Sequence, residues 1–275
     1  VPVKDILVGL APRDQEDPAC DLALSMGAQF SAHVTGIAYA LEPHAPFSIF
    51  PQFTADLIER HRSEAKKEVD GARARFVEAA TRADVRHQAL AGQGTVQQAT
   101  LDFSLRLRTA DIAVLTQHQP DDLERVGDLF AEAALFQSGR PMIVVPRNYI
   151  GGFSAGRVVI AWDGSVHAAR AVAAAMPLMS SASEIEVCIV QEASKGDNLR
   201  GNELVTHLRR HGLNAGLAER NDADIPQAIV REAEAFRAAL VVMGGYGHSR
   251  FREFVFGGVT RLMLSKTPVP VLMAH

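Results

Sequence analysis

Short apolar runs recur along this chain, each bounded by glycine, proline or charged residues. In the first half they are Asp5-Ile6-Leu7-Val8-Gly9-Leu10, Ala110-Asp111-Ile112-Ala113-Val114-Leu115 and Pro141-Met142-Ile143-Val144-Val145. In the second they are Arg157-Val158-Val159-Ile160-Ala161-Trp162, Ala238-Ala239-Leu240-Val241-Val242-Met243 and Pro270-Val271-Leu272-Met273. Such β-branched runs predict strands buried on both faces of a parallel sheet. Between them the apolar positions switch to helical spacing. Helices are expected over 14–29, with Leu22, Met26 and Phe30 in line, and over 64–82, with Val69, Phe76 and Val77 as the inner stripe. Two more are expected over 166–179 and 224–237. This alternation predicts right-handed βαβ crossovers.

The runs of the second half repeat those of the first. The opening pair is offset by about 152 positions and the two later pairs by about 128 and 129. The chain therefore reads as two tandem five-stranded α/β domains, 1–148 and 157–275, joined by a glycine-rich link within 147–156. The first domain carries about two dozen extra residues, expected near 41–63, where Pro43, Pro46 and Pro51 break any regular element.

Composition narrows the classes. A length of 275 residues suits two domains, and 47% apolar with 22% charged residues is an ordinary globular mixture. A formal net charge of −4 gives no basic footprint for nucleic acid or an anionic membrane. Apolar stretches fall short of a membrane span, and Val1 to Val8 leads straight into a strand without a signal-peptide pattern. The expectation is a soluble cytoplasmic chain whose two cysteines, Cys20 and Cys188, are buried thiols. The ten histidines are scattered, so no metal site is expected.

The sharpest pattern is Met243-Gly244-Gly245-Tyr246-Gly247-His248-Ser249-Arg250, followed by Phe256-Gly257-Gly258-Val259-Thr260-Arg261. Gly244 closes a predicted strand, and ligands of open α/β sheets bind at that end. Glycines there let backbone N–H groups approach phosphate oxygens, and Gly257-Gly258 would open a helix whose free amides favour an anion. It is not a dinucleotide fingerprint, because Gly245-x-Gly247 continues into Arg250 and lies late in its domain. It is not a P-loop either, since Gly258 is followed by Val259 rather than Lys.

The spacing Gly244-x2-Gly247-x9-Gly257, with Trp162-Asp163-Gly164-Ser165 after the half's first strand, resembles the universal stress protein family. The resemblance extends over nearly the whole chain. It implies a nucleotide-alpha-hydrolase-like sheet that takes ATP, ADP or AMP, with or without Mg²⁺. Asp163 would face the ribose or base, Met243, Gly244, Gly247 and Gly257 fall on motif positions, and Ala161 and Val190 resemble adenine-pocket positions. The motif's final Ser or Thr is Gly258 here. Val259 and Thr260 follow, and His248, Ser249 and Arg250 stand near enough in sequence to compensate at the phosphates. In the family, domains pair through their last strands and helices. The resemblance thus implies that Met142 to Val145 meets Val271 to Ala274 in an internal pseudo-dimer; whether two chains pair further stays open.

The first half lacks these residues. Leu115-Thr116-Gln117-His118-Gln119-Pro120 replaces the glycine loop, Ala131 stands near its third glycine, and Leu10-Ala11-Pro12-Arg13 replaces the Asp163 segment. That domain reads as a partner domain, kept for packing or for another ligand. Phe47, Ile49, Phe50 and Phe53 of the insertion would either cover an apolar cleft or fold onto their own domain.

The leading expectation is a non-enzymatic binding and signalling module with an unidentified protein partner and at most slow ATP hydrolysis, because no water-positioning residue accompanies a metal-binding carboxylate pair. The alternative is a scaffold without nucleotide. An adenylate-forming enzyme would need a Ser-Gly-Gly loop after the first strand, and a phosphoacceptor domain a Lys after the last; neither is present.

Overall fold

The computed structural model describes residues 2–14, 16–42, 55–117, 126–191, 200–245, 260, 262–264 and 267–275, with backbone only at 55–58. The first half runs β1 (Asp5–Gly9), α1 (Pro18–Phe30), β2 (His33–Leu41), α2 (Ala55–Arg82), β3 (His87–Gly94), α3 (Val96–Leu107), β4 (Ile112–Thr116), α4 (Val126–Gln137) and β5 (Met142–Val145). The second runs β6 (Arg157–Ala161), α5 (Val166–Met179), β7 (Glu184–Gln191), α6 (Gly201–Arg210), β8 (Ala215–Asn221), α7 (Ile225–Ala235), β9 (Leu240–Gly244) and β10 (Val271–Ala274).

These strands form one sheet in the order β3-β2-β1-β4-β5-β10-β9-β6-β7-β8. Within each half every pairing is parallel. The halves meet where β5 and β10 pair antiparallel, Val271 opposite Val144, Leu272 opposite Ile143 and Met273 opposite Met142. All six side chains are buried. Each strand would otherwise be an unpaired apolar edge, so joining them removes two edges at once. The expected internal pseudo-dimer is therefore a continuous ten-stranded sheet.

Alternation along the strands feeds two cores, one on each face. Ile6 and Val8, Val158 and Ile160, and Leu272 face α1, α2, α5 and α6, whose Leu22, Phe76, Leu178 and Leu208 pack there. Leu7, Val159, Val271 and Met273 face the opposite layer, with Phe103, Leu135, Ile229 and Met263. Burial on both faces explains why the strands read as continuous apolar runs.

Three details differ from the sequence reading. Helix α1 starts at Pro18, not near residue 14, because the Asp17 carboxylate accepts from the Cys20 N–H at 3.1 Å and caps it there. Helix α2 begins at Ala55, so the last part of the expected insertion is helical; its 43–54 portion, with Phe47, Ile49, Phe50 and Phe53, lies outside the described residues. Val77 is 38% exposed, whereas Val69, Ala72, Phe76 and Ala80 form the buried stripe. Val77 sits one residue, about 100° of helix, beyond Phe76.

Cys20 and Cys188 are buried free thiols. Burial first, then the Glu232 and Glu186 carboxylates, pushes the Cys188 pKa up to about 12. Among the described residues no helix is long and apolar enough to cross a membrane.

Candidate ligand sites at the carboxyl ends of the strands

Strand β6 ends at Ala161, and the chain turns into α5 through four residues. The Trp162 N–H reaches back to the Cys188 carbonyl at 2.9 Å, which keeps the turn against β7. The Ser165 N–H donates to Asp163 Oδ1 at 2.9 Å across Gly164, whose φ of 72° lies in the left-handed region open to glycine. Ser165 Oγ then accepts from the Ala168 N–H at 3.1 Å and caps α5. Asp163 is thus set on a short, tied turn at the sheet's carboxyl edge.

Strand β9 lies beside β6, with Met243 opposite Ala161. Ala161 is also opposite Cys188 of β7, which places Val190 two residues further toward the same edge. Met243, Ala161 and Val190 pack against one core, so the two expected adenine-pocket positions share one sheet face with the motif residue Met243. Gly244 is held more tightly than the sequence indicated. A Cβ there would lie 2.6 Å from the Ala168 backbone nitrogen and 2.8 Å from the His167 carbonyl carbon. The first turn of α5 therefore passes too close to β9 for any other residue. Thr260 is buried at 3% exposure and helical. Gly247, His248, Gly257, Gly258 and Val259 lie outside the described residues.

The seam between halves runs past this edge. His167 stacks on His275 at 4.1 Å and 14°, and Phe136 of α4 meets His275 edge-on at 4.8 Å. His275 Nδ1 is 3.2 Å from the Gly245 carbonyl oxygen. Burial, then the charges of His275 and Arg170, lowers the His167 pKa, while Asp163 works the other way.

The first half has the corresponding edge, and there the chain forms a cleft of about 250 Å³. Its walls include Leu10, Ile37, Tyr39, Leu115 and Phe130, with Asp14 and Arg147 also lining it. Tyr39 packs on Phe130 at 5.4 Å and donates to Asp102 at 2.8 Å. Thr116 stands where the repeat places Gly244, and its hydroxyl donates to Asp17 Oδ1 at 3.2 Å. The Ala11 N–H donates to the other carboxylate oxygen at 2.8 Å. Burial raises the Asp17 pKa, with the Ala11 and Cys20 amides and the Thr116 hydroxyl opposing it. This carboxylate pins the β1–α1 loop. Sequence reading passed over it, since the loop is longer than its counterpart and carries its acid at the helix cap. Asp17 preceding Pro18 was the signal that could have located it.

Among the described residues no three His, Cys, Asp or Glu side chains gather as metal ligands would.

Residues 208–275 match the model of the universal stress protein family. A universal stress protein of Synechocystis sp. is 48% identical over 46 residues, which is 17% of this chain and 16% of that protein. The aligned stretch thus spans about a sixth of the relative's length. The crystal structure of a universal stress protein from Archaeoglobus fulgidus superposes over 98% of this chain and 95% of its own, with a TM-score of 0.70 at 14% identity. A protein of unknown function from Pseudomonas aeruginosa superposes over 99% of this chain and 92% of its own, with a TM-score of 0.62 at 14% identity. At such identity the likeness is one of fold, and it extends over both halves.

Proposed function

We propose that this chain is a universal stress protein and a non-enzymatic binding module for one adenine nucleotide, a reading supported by the family match at residues 208–275 and by a fold similar along its whole length. It divides into domains 1–148 and 157–275, and the nucleotide belongs to the second. The observation that carries the reading is the convergence at the carboxyl edge of β7, β6 and β9. Val190, Ala161 and Met243 share one apolar face there, beside the tied turn bearing Asp163.

In this reading the base lies on Ala161, Val190 and Met243, and Asp163 accepts from the ribose. Gly244, Gly247, Gly257, Gly258, Val259, Thr260 and His248 serve the phosphates of ATP, ADP or AMP, with Mg²⁺ as an accompanying ion where three phosphates are present. Binding would alter contacts with a protein partner rather than drive turnover; any hydrolysis should be slow. The chain works inside the cytoplasm, without nucleic acid or membrane.

Gly247→Val tests the loop. Equilibrium dialysis with ATP and Mg²⁺ should show binding by the parent and none by the variant, with unchanged thermal unfolding. Equal binding by both would remove the loop from the site.

One observation favours a second reading, a scaffold without nucleotide. The approach of α5 to β9 demands glycine at 244 whether or not a ligand binds there. Absence of binding by the folded parent would select this reading.

A further inference from the structure

We infer that the cleft at the carboxyl edge of the first half is a separate binding site, and that it takes a small, uncharged, planar ring compound rather than a nucleotide. Three properties lead there, none of them resting on a nucleotide in the second half.

The first is charge. Arg147 is the lining cation among the described residues, and its guanidinium lies 2.8 Å from the Asp14 carboxylate, which also lines the cleft. Among the described lining residues the positive charge is thus paired with a negative one, so a phosphate entering here would meet no unpaired cation among them and would face the Asp14 carboxylate. Asp17, the acid nearest in role to Asp163, is turned inward onto Ala11, Cys20 and Thr116 and is closed to a ribose.

The second is shape and surface. A volume of about 250 Å³ is below the roughly 300–1,000 Å³ of pockets for drug-sized ligands, and suits one or two fused rings. Tyr39 and Phe130 supply aromatic surface, and Ile37 and Leu115 supply aliphatic surface. Aromatic guests gain most from such walls, through offset or edge contacts.

The third is preorganisation. The Tyr39 hydroxyl is fixed by Asp102, which Arg106 also holds at 2.8 Å. Phe130 is braced edge-on against Phe103 at 5.5 Å. Both rings are held before a guest arrives, so binding costs little ordering of the protein.

The test uses 2-naphthol with the full-length chain, followed by NMR. Expected are intermolecular NOEs from the naphthol protons to the Tyr39 and Phe130 rings, at about one naphthol per chain. Phe130→Ala should weaken binding about fivefold or more. Millimolar ATP with Mg²⁺ should leave the NOEs in place. Absent NOEs, NOEs only to other residues, unaltered affinity in folded Phe130→Ala, or displacement by ATP would each overturn the proposal. The ATP arm separates the two sites, because nucleotide binding can then fail while the naphthol NOEs persist.

Discussion

A methyl group on Gly244 would sit 2.6 Å from the Ala168 nitrogen, and the α5 backbone cannot retreat without leaving the sheet. Gly244→Ala should therefore cost about 1–3 kcal/mol in urea unfolding, as other overpacked contacts do. An unchanged midpoint would mean that α5 is not seated as described. The opposite expectation holds for Gly247→Val, which should lose ligand and keep stability. A second residue sets a pH dependence. Glu186 Oε1 is buried without a hydrogen-bond partner, and burial, then the Glu232 carboxyl beside it, pushes its pKa up to about 7, with Arg220 opposing. Its folded pKa exceeds the ordinary 4.5, so the folded state binds the extra proton. Stability from this group is full below about pH 4.5 and falls as pH rises to about 7. Glu186→Gln should accordingly unfold at higher urea than the parent at pH 8, with the gap closing toward pH 4.5. A gap constant with pH would show that the carboxyl does not titrate there. The motif glycines were legible as residues, but neither the helix seated on Gly244 nor the pairing of Glu186 with Glu232 was. Both depend on contacts between distant segments.

Elements were legible where local chemistry marks their ends. Helix α5 follows the Gly164-Ser165 turn, and its expected span, 166–179, matches Val166–Met179. Helix α2 was read late. The tandem offset assigned residues up to 63 to an insertion, although 55–63 carries no proline or glycine to stop a helix. Helix α3 is marked by a capping box in which Thr95 and Gln98 satisfy each other's backbone N–H groups. Thr95→Ala should cost about 1 kcal/mol in urea unfolding. An indistinguishable midpoint would mean that the cap contributes nothing in this chain. The first half's cleft follows from another element-level difference. Its β1–α1 loop is longer than the β6–α5 turn and is pulled in by Asp17, which a comparison of aligned motifs could not reveal.

The whole molecule is organised by one antiparallel junction inside a parallel sheet. The repeat disclosed two five-stranded halves, and the apolar strands β5 and β10 indicated where they would meet. Their register became visible only with both in place. Because Leu272 is fully buried at that junction, Leu272→Asp should place an unpaired charge in the core. The expected result is a large fall in urea midpoint with protease cleavage within 147–156; resistance equal to the parent would contradict a shared core. The two edges of this sheet carry different chemistry, a tied acid and glycines in one half and a neutral aromatic cleft in the other. The most direct measurement of the central claim is calorimetric titration of the full chain with ATP and Mg²⁺, repeated on Gly247→Val. The account predicts one site per chain, lost in the variant. Two sites, or binding retained by the variant, would contradict it.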